Sequence, residues 1–315
     1  MTKEEQYRAV ERKYGKIKRR ERRKRYALRL LGFAAILAAV LGLYAVWTLR
    51  QPKPEAALPD ALRVWFFDVG QGDAALIRTP DRAVLIDAGD CDQGYPLVQK
   101  LKSLGVTRLD AAVCSHPHAD HIGGMETVLS CIPTDTLYMP DIPDAMIPAA
   151  PYYAGLLRAA EQNHTALRIP ACHDTAELGG ASLTFLCTDN AAFEDLNNCS
   201  LGCLVSCGDI RFFLAGDLEK DGEAAMLGAG LIPPVSVLKV SHHGSSGATT
   251  EAFLQTAQPD YGVISVGSGN DYGHPARRTL ERLAAAGCEI YRTDLDGTVL
   301  FATDGRTPQT YAAGK

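Results

Sequence analysis

Within six positions of the segment SHPHADHIGGM, residues 115–125, fall His116, His118, Asp120 and His121. Imidazole nitrogens and carboxylate oxygens are the donors that zinc-type cations take, and four of them at this spacing point to metal binding where a lone histidine would not. The segment follows the apolar run LDAAVC. It therefore reads as a loop leaving the end of a buried strand, which can aim alternate residues at one ion and their neighbours at a second. Gly123 and Gly124 let the backbone turn sharply into the next helix.

Such a loop needs a rigid frame. Short β-rich runs, LRVWFFDV, DAALIRTP and RAVLIDAG, are separated by Gly and Pro and predict a meander. Helices are expected at 96–103 and 124–131 around a strand at 109–114. Further strands are predicted at 182–187, 201–207, 210–215, 235–240, 261–266, 289–292 and 298–302, with helices at 218–227, 250–255 and 276–286. Sheet faces covered by helices imply a layered α/β architecture.

The 315 residues are 46% hydrophobic and 22% charged, enough for one large domain or two small ones. Average Gly and Pro usage without a repeat excludes a collagen-like chain, a solenoid and a wholly disordered protein. The net charge of -5 conceals a division: residues 1–30 carry 13 Lys+Arg against 4 Asp+Glu, net +9, which leaves −14 for the remainder. That acidic body lacks the broad basic surface by which proteins hold nucleic acid.

Residues 30–49, LLGFAAILAAVLGLYAVWTL, contain no charge and match in length a hydrocarbon core of about 30 Å, so one transmembrane helix is expected there. The basic tail 1–29 then lies in the cytoplasm and the domain outside the cell membrane, single-pass. A cleaved signal peptide is the competing reading, but the run exceeds the roughly 7–15 apolar residues of such a segment and no small-x-small site closes it. Residues 50–60 are Pro-rich and read as a linker. The domain is expected over 61–315. It holds nine cysteines without a C-x-x-C, and several sit in apolar runs as buried thiols do.

The HxHxDH string resembles the signature of the metallo-β-lactamase superfamily. The order FFDVGQGDAALI, VLIDAGD, SHPHADHIGG, NNCSL, FLAGD, VLKVSHHGS, NDYGHP is similar to the hydrolase domain of competence DNA-uptake channel proteins, over most of residues 62–302. That branch also resembles phosphorylcholine esterases of teichoic acid. The resemblance implies an αββα sandwich with a metal site at one edge of two sheets and two divalent ions, for which zinc is expected and manganese is the alternative. It places His116 and His118 on the first ion, Asp120 and His121 on the second, and Asp217 of FLAGD between both; read alone, Asp217 would be the N-cap of the next helix. Superfamily members often add a third histidine to the first site. His164 and His173 lack the matching context, and Asn197, Asn198 and Ser200 of NNCSL are weaker donors.

In SHHGSS, adjacent strand residues point oppositely, so His242 and His243 do not serve one ion alike. His242 is expected to be the ligand and His243 a neighbour that touches substrate. DVGQGDA alone is a Gly-rich hairpin; beside LIDAGD, its Gln71 and Asp73 are expected to hydrogen-bond metal-bound histidines, and Asp87 to brace the same loops. His274 in YGHP is a candidate general acid or oxyanion contact, or a loop-packing residue. The function expected is metal-assisted hydrolysis of a phosphodiester, in nucleic acid or a wall polymer, with Asp120, His243 and His274 nearest the chemistry. A lactone or β-lactam substrate, or a membrane-anchored metal-binding assembly module without turnover, are the alternatives.

Overall fold

The computed structural model describes residues 58–312 and the single residue Ala38. The chain divides into two units, residues 1–52 and 53–315, and all the described residues but Ala38 belong to the second. The tail 1–29, the expected membrane helix 30–49 and most of the linker 50–60 lie outside the described residues. Among the described residues, no helix is long and apolar enough to cross a membrane.

The meander forms as the Gly and Pro punctuation predicts: β1 (Leu62–Phe66), β2 (Ala75–Arg78) and β3 (Ala83–Ile86) pair antiparallel. Next to β3 the sheet turns parallel through β4 (Leu109–Val113), β5 (Thr134–Tyr138) and β6 (Ala166–Arg168). Parallel neighbours need crossovers. These are supplied by α1 (Gly94–Ser103), by α2 (Ala119–Ile122) with α3 (Met125–Cys131), and by α4 (Pro151–Gln162). On the free side of β1 the chain returns as β14 (Val299–Thr303) and β15 (Pro308–Ala312), completing eight strands.

A second, seven-stranded sheet repeats the plan. β7 (Thr175–Glu177), β8 (Ser182–Leu186), β9 (Gly202–Cys207) and β10 (Ile210–Leu214) are antiparallel, whereas β11 (Val237–Lys239), β12 (Tyr261–Ile264) and β13 (Glu289–Arg292) continue in parallel. Its crossovers are α5 (Lys220–Gly228), α6 (Glu251–Ala257) and α7 (Arg277–Ala285); α8 (Thr293–Asp296) follows β13.

Each strand sends alternate side chains to opposite faces, and here both faces are covered, which is why the strands read as continuous apolar runs. Leu62, Val64 and Phe66 of β1 enter the layer between the sheets, while Trp65 enters the layer beneath α1, α3 and α4. On β10, Phe212 and Leu214 face the first sheet, whereas Phe213 packs with Phe253 of α6. Three apolar layers between four layers of elements make the expected αββα sandwich. The expected strand 235–240 is only three residues long, since Pro233 and Pro234 precede it. The strands β6 and β7 are three residues each and largely exposed, too short to carry an alternation signal. Helix α4 is announced mainly by Pro151 at its first turn. All nine cysteines are free thiols, five of them buried.

Phe301 sits at the centre of the inter-sheet layer, with ring centroids 6.3 Å from Phe66, 6.2 Å from Phe212 and 5.4 Å from Tyr261. Replacing it with alanine leaves a cavity that rigid sheets cannot close. Phe301→Ala is expected to cost about 3–5 kcal/mol, read as a lower urea midpoint at unchanged slope.

Candidate metal centre

The chemistry-bearing residues lie on loops that leave strand ends: Asp73 before β2, Asp87 after β3, residues 115–121 after β4, Asp217 after β10, the two histidines after β11 and His274 after β12. Backbone bonds knit these loops. Asp73 N donates to Asp120 O, Ala88 N to His121 O, and Leu201 N to Ser115 O. Gly72, at φ +140, makes the first of these contacts possible, because a Cβ there would stand 2.3 Å from Asp120 O.

Asp87 organises the imidazoles. Its carboxylate accepts from Ser115 N (2.8 Å), Ser115 Oγ (2.6 Å) and His121 Nδ1 (2.9 Å). Ser115 has one hydroxyl hydrogen and gives it to Asp87, so toward His116 Nδ1 and His121 Nδ1, both at 3.2 Å, its oxygen accepts. Both rings therefore carry hydrogen on Nδ1 and turn Nε2 toward the site. His243 obeys the same rule by donating from Nδ1 to Ser265 O at 2.8 Å. His242 donates from Nδ1 to Glu219 Oε1 at 2.9 Å.

Those Nε2 atoms converge with carboxylates. His121 Nε2 stands 3.2 Å from Asp217 Oδ1, and His243 Nε2 stands 3.3 Å from Asp217 Oδ2 and 3.2 Å from Asp120 Oδ2. Asp120, His121, Asp217 and His243 each offer one ligand atom within 4.8 Å of the others. Yet His121 Nε2, His243 Nε2 and Asp217 Oδ1 are buried with no hydrogen-bond partner. Buried polar atoms that crowd together without bonding one another fit a cation in their midst. Beside this group, His116 Nε2 and His118 Nδ1 come within 3.0 Å of each other, a second pair of converging nitrogens.

The donor group takes in His243 rather than His242, the residue expected there. His243 is buried in the four-donor group, whereas His242 is partly exposed with Nε2 3.8 Å from Asp217 Oδ2. Strand alternation does not apply, because β11 ends at Lys239 and both histidines adopt left-handed backbone, φ 48 and 52. Glu223, a buried residue of α5, maintains that strained turn by accepting from Thr249 N and Thr250 N, and Thr249 Oγ1 accepts from Ser241 N.

Other expected residues take several places. Asp73 lies 3.4 Å from His243 Nδ1, but its Oδ2 is held by Lys239 Nζ at 2.5 Å. Gln71 touches no histidine and instead accepts from Gly267 N, tying the β1–β2 loop to the segment after β12. Asn198 Oδ1 accepts from Glu219 N and Gly222 N at the start of α5, and Ser200 Oγ accepts from Asp217 N. His164 and His173 are exposed in turns outside the donor group. His274 is half-buried, its ring stacked at 6.5 Å from His243 and 5.7 Å from the exposed Tyr272. Glu219, Glu223 and Lys239 were not singled out from sequence; a buried lysine within the strand run VSVLKV was the one visible signal.

Electrostatics follow from this crowding. Burial alone would raise the Asp217 carboxyl, but the charges of His121 and His243 outweigh it and hold it well below the usual range. Against burial, His243 and His121 hold Asp120 at about 2. In return, His121 and His243 are held well above the ordinary histidine value, against burial, chiefly by Asp217. Burial and the charge of His121 push His116 well below that value, and burial with His242 and His243 brings His274 to about 4.

Residues 67–268 match the model of the Metallo-beta-lactamase superfamily. The chain belongs to this superfamily, whose members are mostly metal-dependent hydrolases on an αββα fold. It is 30% identical over 257 residues to ComE operon protein 3 of Bacillus subtilis, a match covering 76% of this chain and 33% of that protein. Over 251 residues it is 32% identical to competence protein ComA of Neisseria gonorrhoeae, covering 79% of this chain and 33% of that one. The chain thus spans about a third of the length of these relatives. Among solved structures, CmlA, a diiron beta-hydroxylase from Streptomyces venezuelae, shares the fold with a TM-score of 0.53 at 14% identity, covering 78% of this chain and 55% of that one.

Two outcomes are expected. His243→Ala weakens metal binding beyond the about 10–100-fold that loss of an outer hydrogen-bond partner costs, whereas His242→Ala stays within that range, as read by chelator competition. Protons held on His121 and His243 in the metal-free chain must leave when a cation enters, so affinity rises with pH. Calorimetry in buffers of differing ionisation heat will show proton release on binding; pH-independent affinity without release would contradict the assignment.

Proposed function

We propose that the domain is a dinuclear metal-dependent hydrolase, anchored by residues 30–49 outside the cytoplasmic membrane, and that its substrates are phosphodiesters of nucleic acid or of a phosphorylated wall polymer. The observation that carries the reading is the buried group Asp120, His121, Asp217 and His243 with its unpartnered facing atoms. When bound, two ions lower the pKa of coordinated water from about 15.7 toward about 7 and stabilise the attacking and leaving oxygens of an in-line displacement.

The protein's own residues do the rest. Asp217 presents its two oxygens to different imidazoles, Oδ1 to His121 and Oδ2 to His243, the arrangement a bridging carboxylate needs. Asp87 and Ser115 fix the tautomers of His116 and His121, so no reorientation is required when cations arrive. His274, half-buried between His243 and the exposed Tyr272, stands where the centre meets solvent and serves in this reading as a substrate contact. Zinc suits the imidazole-rich donors, and manganese is the alternative because the His116–His118 pair has no third imidazole. The name of one relative, a competence protein, favours a nucleic-acid diester. The acidic body favours a short or local contact over a long duplex.

That thin His116–His118 pair also favours a second reading, a metal-binding module without turnover. Activity separates them. The metal-loaded protein is expected to hydrolyse an activated nitrophenyl phosphodiester, and Asp217→Ala to abolish this. His274, its pKa brought to about 4, is neutral near pH 7 and acts in this reading as an oxyanion contact, so His274→Ala should lower the rate on both natural and nitrophenyl diesters by less than Asp217→Ala does. No turnover of either substrate with zinc or manganese, despite two bound ions, would favour the module. In intact cells, external protease should remove the domain while residues 1–29 stay protected; a protected domain would overturn the topology.

A further inference from the structure

Among the described residues, Lys239 is the one lysine or arginine that is buried. It ends β11, where Val237 faces the inter-sheet layer, and by strand alternation its side chain enters the same layer at the end that opens on the metal centre. There its Nζ lies 2.5 Å from Asp73 Oδ2, 3.5 Å from Gly216 O and 4.0 Å from Asp217 Oδ1. Enclosing an ammonium costs several kcal/mol unless partners compensate it, so an apolar side chain would serve the sandwich better. The charge therefore calls for an explanation in the site.

The explanation lies in a second set of donors. Asp73, Asp87 and His121 also place ligand atoms within 4.8 Å of one another, directly behind the four-donor group. A cation that settled among them would draw on His121 Nδ1, whose hydrogen bond to Asp87 keeps Nε2 turned to the centre. Asp73 is the member best able to receive a cation, because Asp87 already accepts from Ser115 and His121 while Asp73 Oδ1 is buried with no hydrogen bond and only the His243 ring at 3.4 Å. The ammonium of Lys239 meets Asp73 from the second sheet and takes the place of that cation.

We propose that Lys239 is a positioning residue of the metal centre: as a fixed internal cation it keeps Asp73 out of the ligand set, so that metal ions enter the group Asp120, His121, Asp217 and His243 and the adjoining His116–His118 pair but not the group Asp73, Asp87 and His121. The proposal rests on the metal-centre reading above. Like-charge repulsion then acts between Lys239 and any ion on Asp217, falling with distance and effective dielectric. Lys239 thus makes the metal-free site stable and holds the affinity of the loaded site down, two effects of opposite sign. A mere strut between the sheets would support both.

The test uses the purified full chain, with zinc as the probe, read by chelator competition and by thermal unfolding of the metal-free form. Lys239→Met keeps the aliphatic stem and removes the charge. It is expected to unfold at lower temperature without metal, yet bind zinc about tenfold or more tightly, or bind one ion more than the original chain. Lys239→Met combined with Asp73→Asn removes both charges and should restore metal-free stability, stoichiometry and affinity together. Lys239→Arg keeps the cation and should leave affinity within about threefold. Weaker zinc binding by Lys239→Met, or unchanged binding, overturns the proposal. If the single variant does not fold, a double variant that folds but binds zinc less tightly than the original chain overturns it equally. Binding is measured without turnover, so failure to hydrolyse any phosphodiester would sink the functional reading and leave this one standing; absence of zinc binding by the original chain would sink both.

Discussion

Negative charge gathered at the mouth of an apolar sandwich is the constraint on which this structure turns. Asp73, Asp87 and Asp217 are buried and Asp120 stands beside them, at the end of a layer otherwise filled by side chains such as Phe66, Phe212 and Phe301. Carboxylates so placed repel one another through a medium that screens poorly. They persist together only where cations and donors answer them. Lys239, the imidazoles of His121 and His243, and the N–H and hydroxyl of Ser115 supply part of that answer, and metal ions fit the remainder.

The fold makes this gathering possible by bringing the ends of β3, β4, β10, β11 and β12 to one edge of two facing sheets. A loop at a strand end can leave the ladder and still be held by neighbouring backbone, and residues at such ends are aimed by the rigid strands behind them. Where aiming requires unfavourable backbone, the surroundings enforce it. Asp87, His242 and His243 all adopt positive φ, and each lies in a segment tied by side-chain bonds, from Asp87 to Ser115 and from Glu223 to Thr249 and Thr250. Gly216 belongs to the same device: a Cβ there would stand 2.8 Å from Ser200 Oγ, which positions Asp217 through its backbone N–H.

Chemically the two halves of the centre are unequal. One has four donors from three loops, two of them anionic; the other has the nitrogens of His116 and His118. The residues of NNCSL that replace a third histidine are engaged in supporting work, Asn198 at the start of α5 and Ser200 at Asp217. An ion in the second half would keep more positions for water or substrate oxygen. Openness of that kind suits hydrolysis, since catalytic metal sites keep a position free where structural ones are closed.

Local pattern by itself determined much. The HxHxDH spacing marked a metal-binding loop, because four ligand-type side chains in six positions have few other physical uses, and apolar runs bounded by Gly and Pro indicated most strands and a layered α/β class, whereas the sandwich followed from the family resemblance. The part of Asp87 as a brace was legible from LIDAGD beside DVGQGDA, whereas Asp217, which alone reads as a helix N-cap, drew its expected shared role from the family resemblance. Tertiary structure alone decided what depends on contacts between distant segments. Which of His242 and His243 enters the donor group follows from a left-handed turn held by Glu223 on another element, not from strand alternation. Gln71 reaches a backbone amide 196 residues away rather than a histidine. Lys239 reads as an oddity in an apolar strand until the second sheet carries it against Asp73, since a buried charge acquires its meaning only from the partner that packing places beside it.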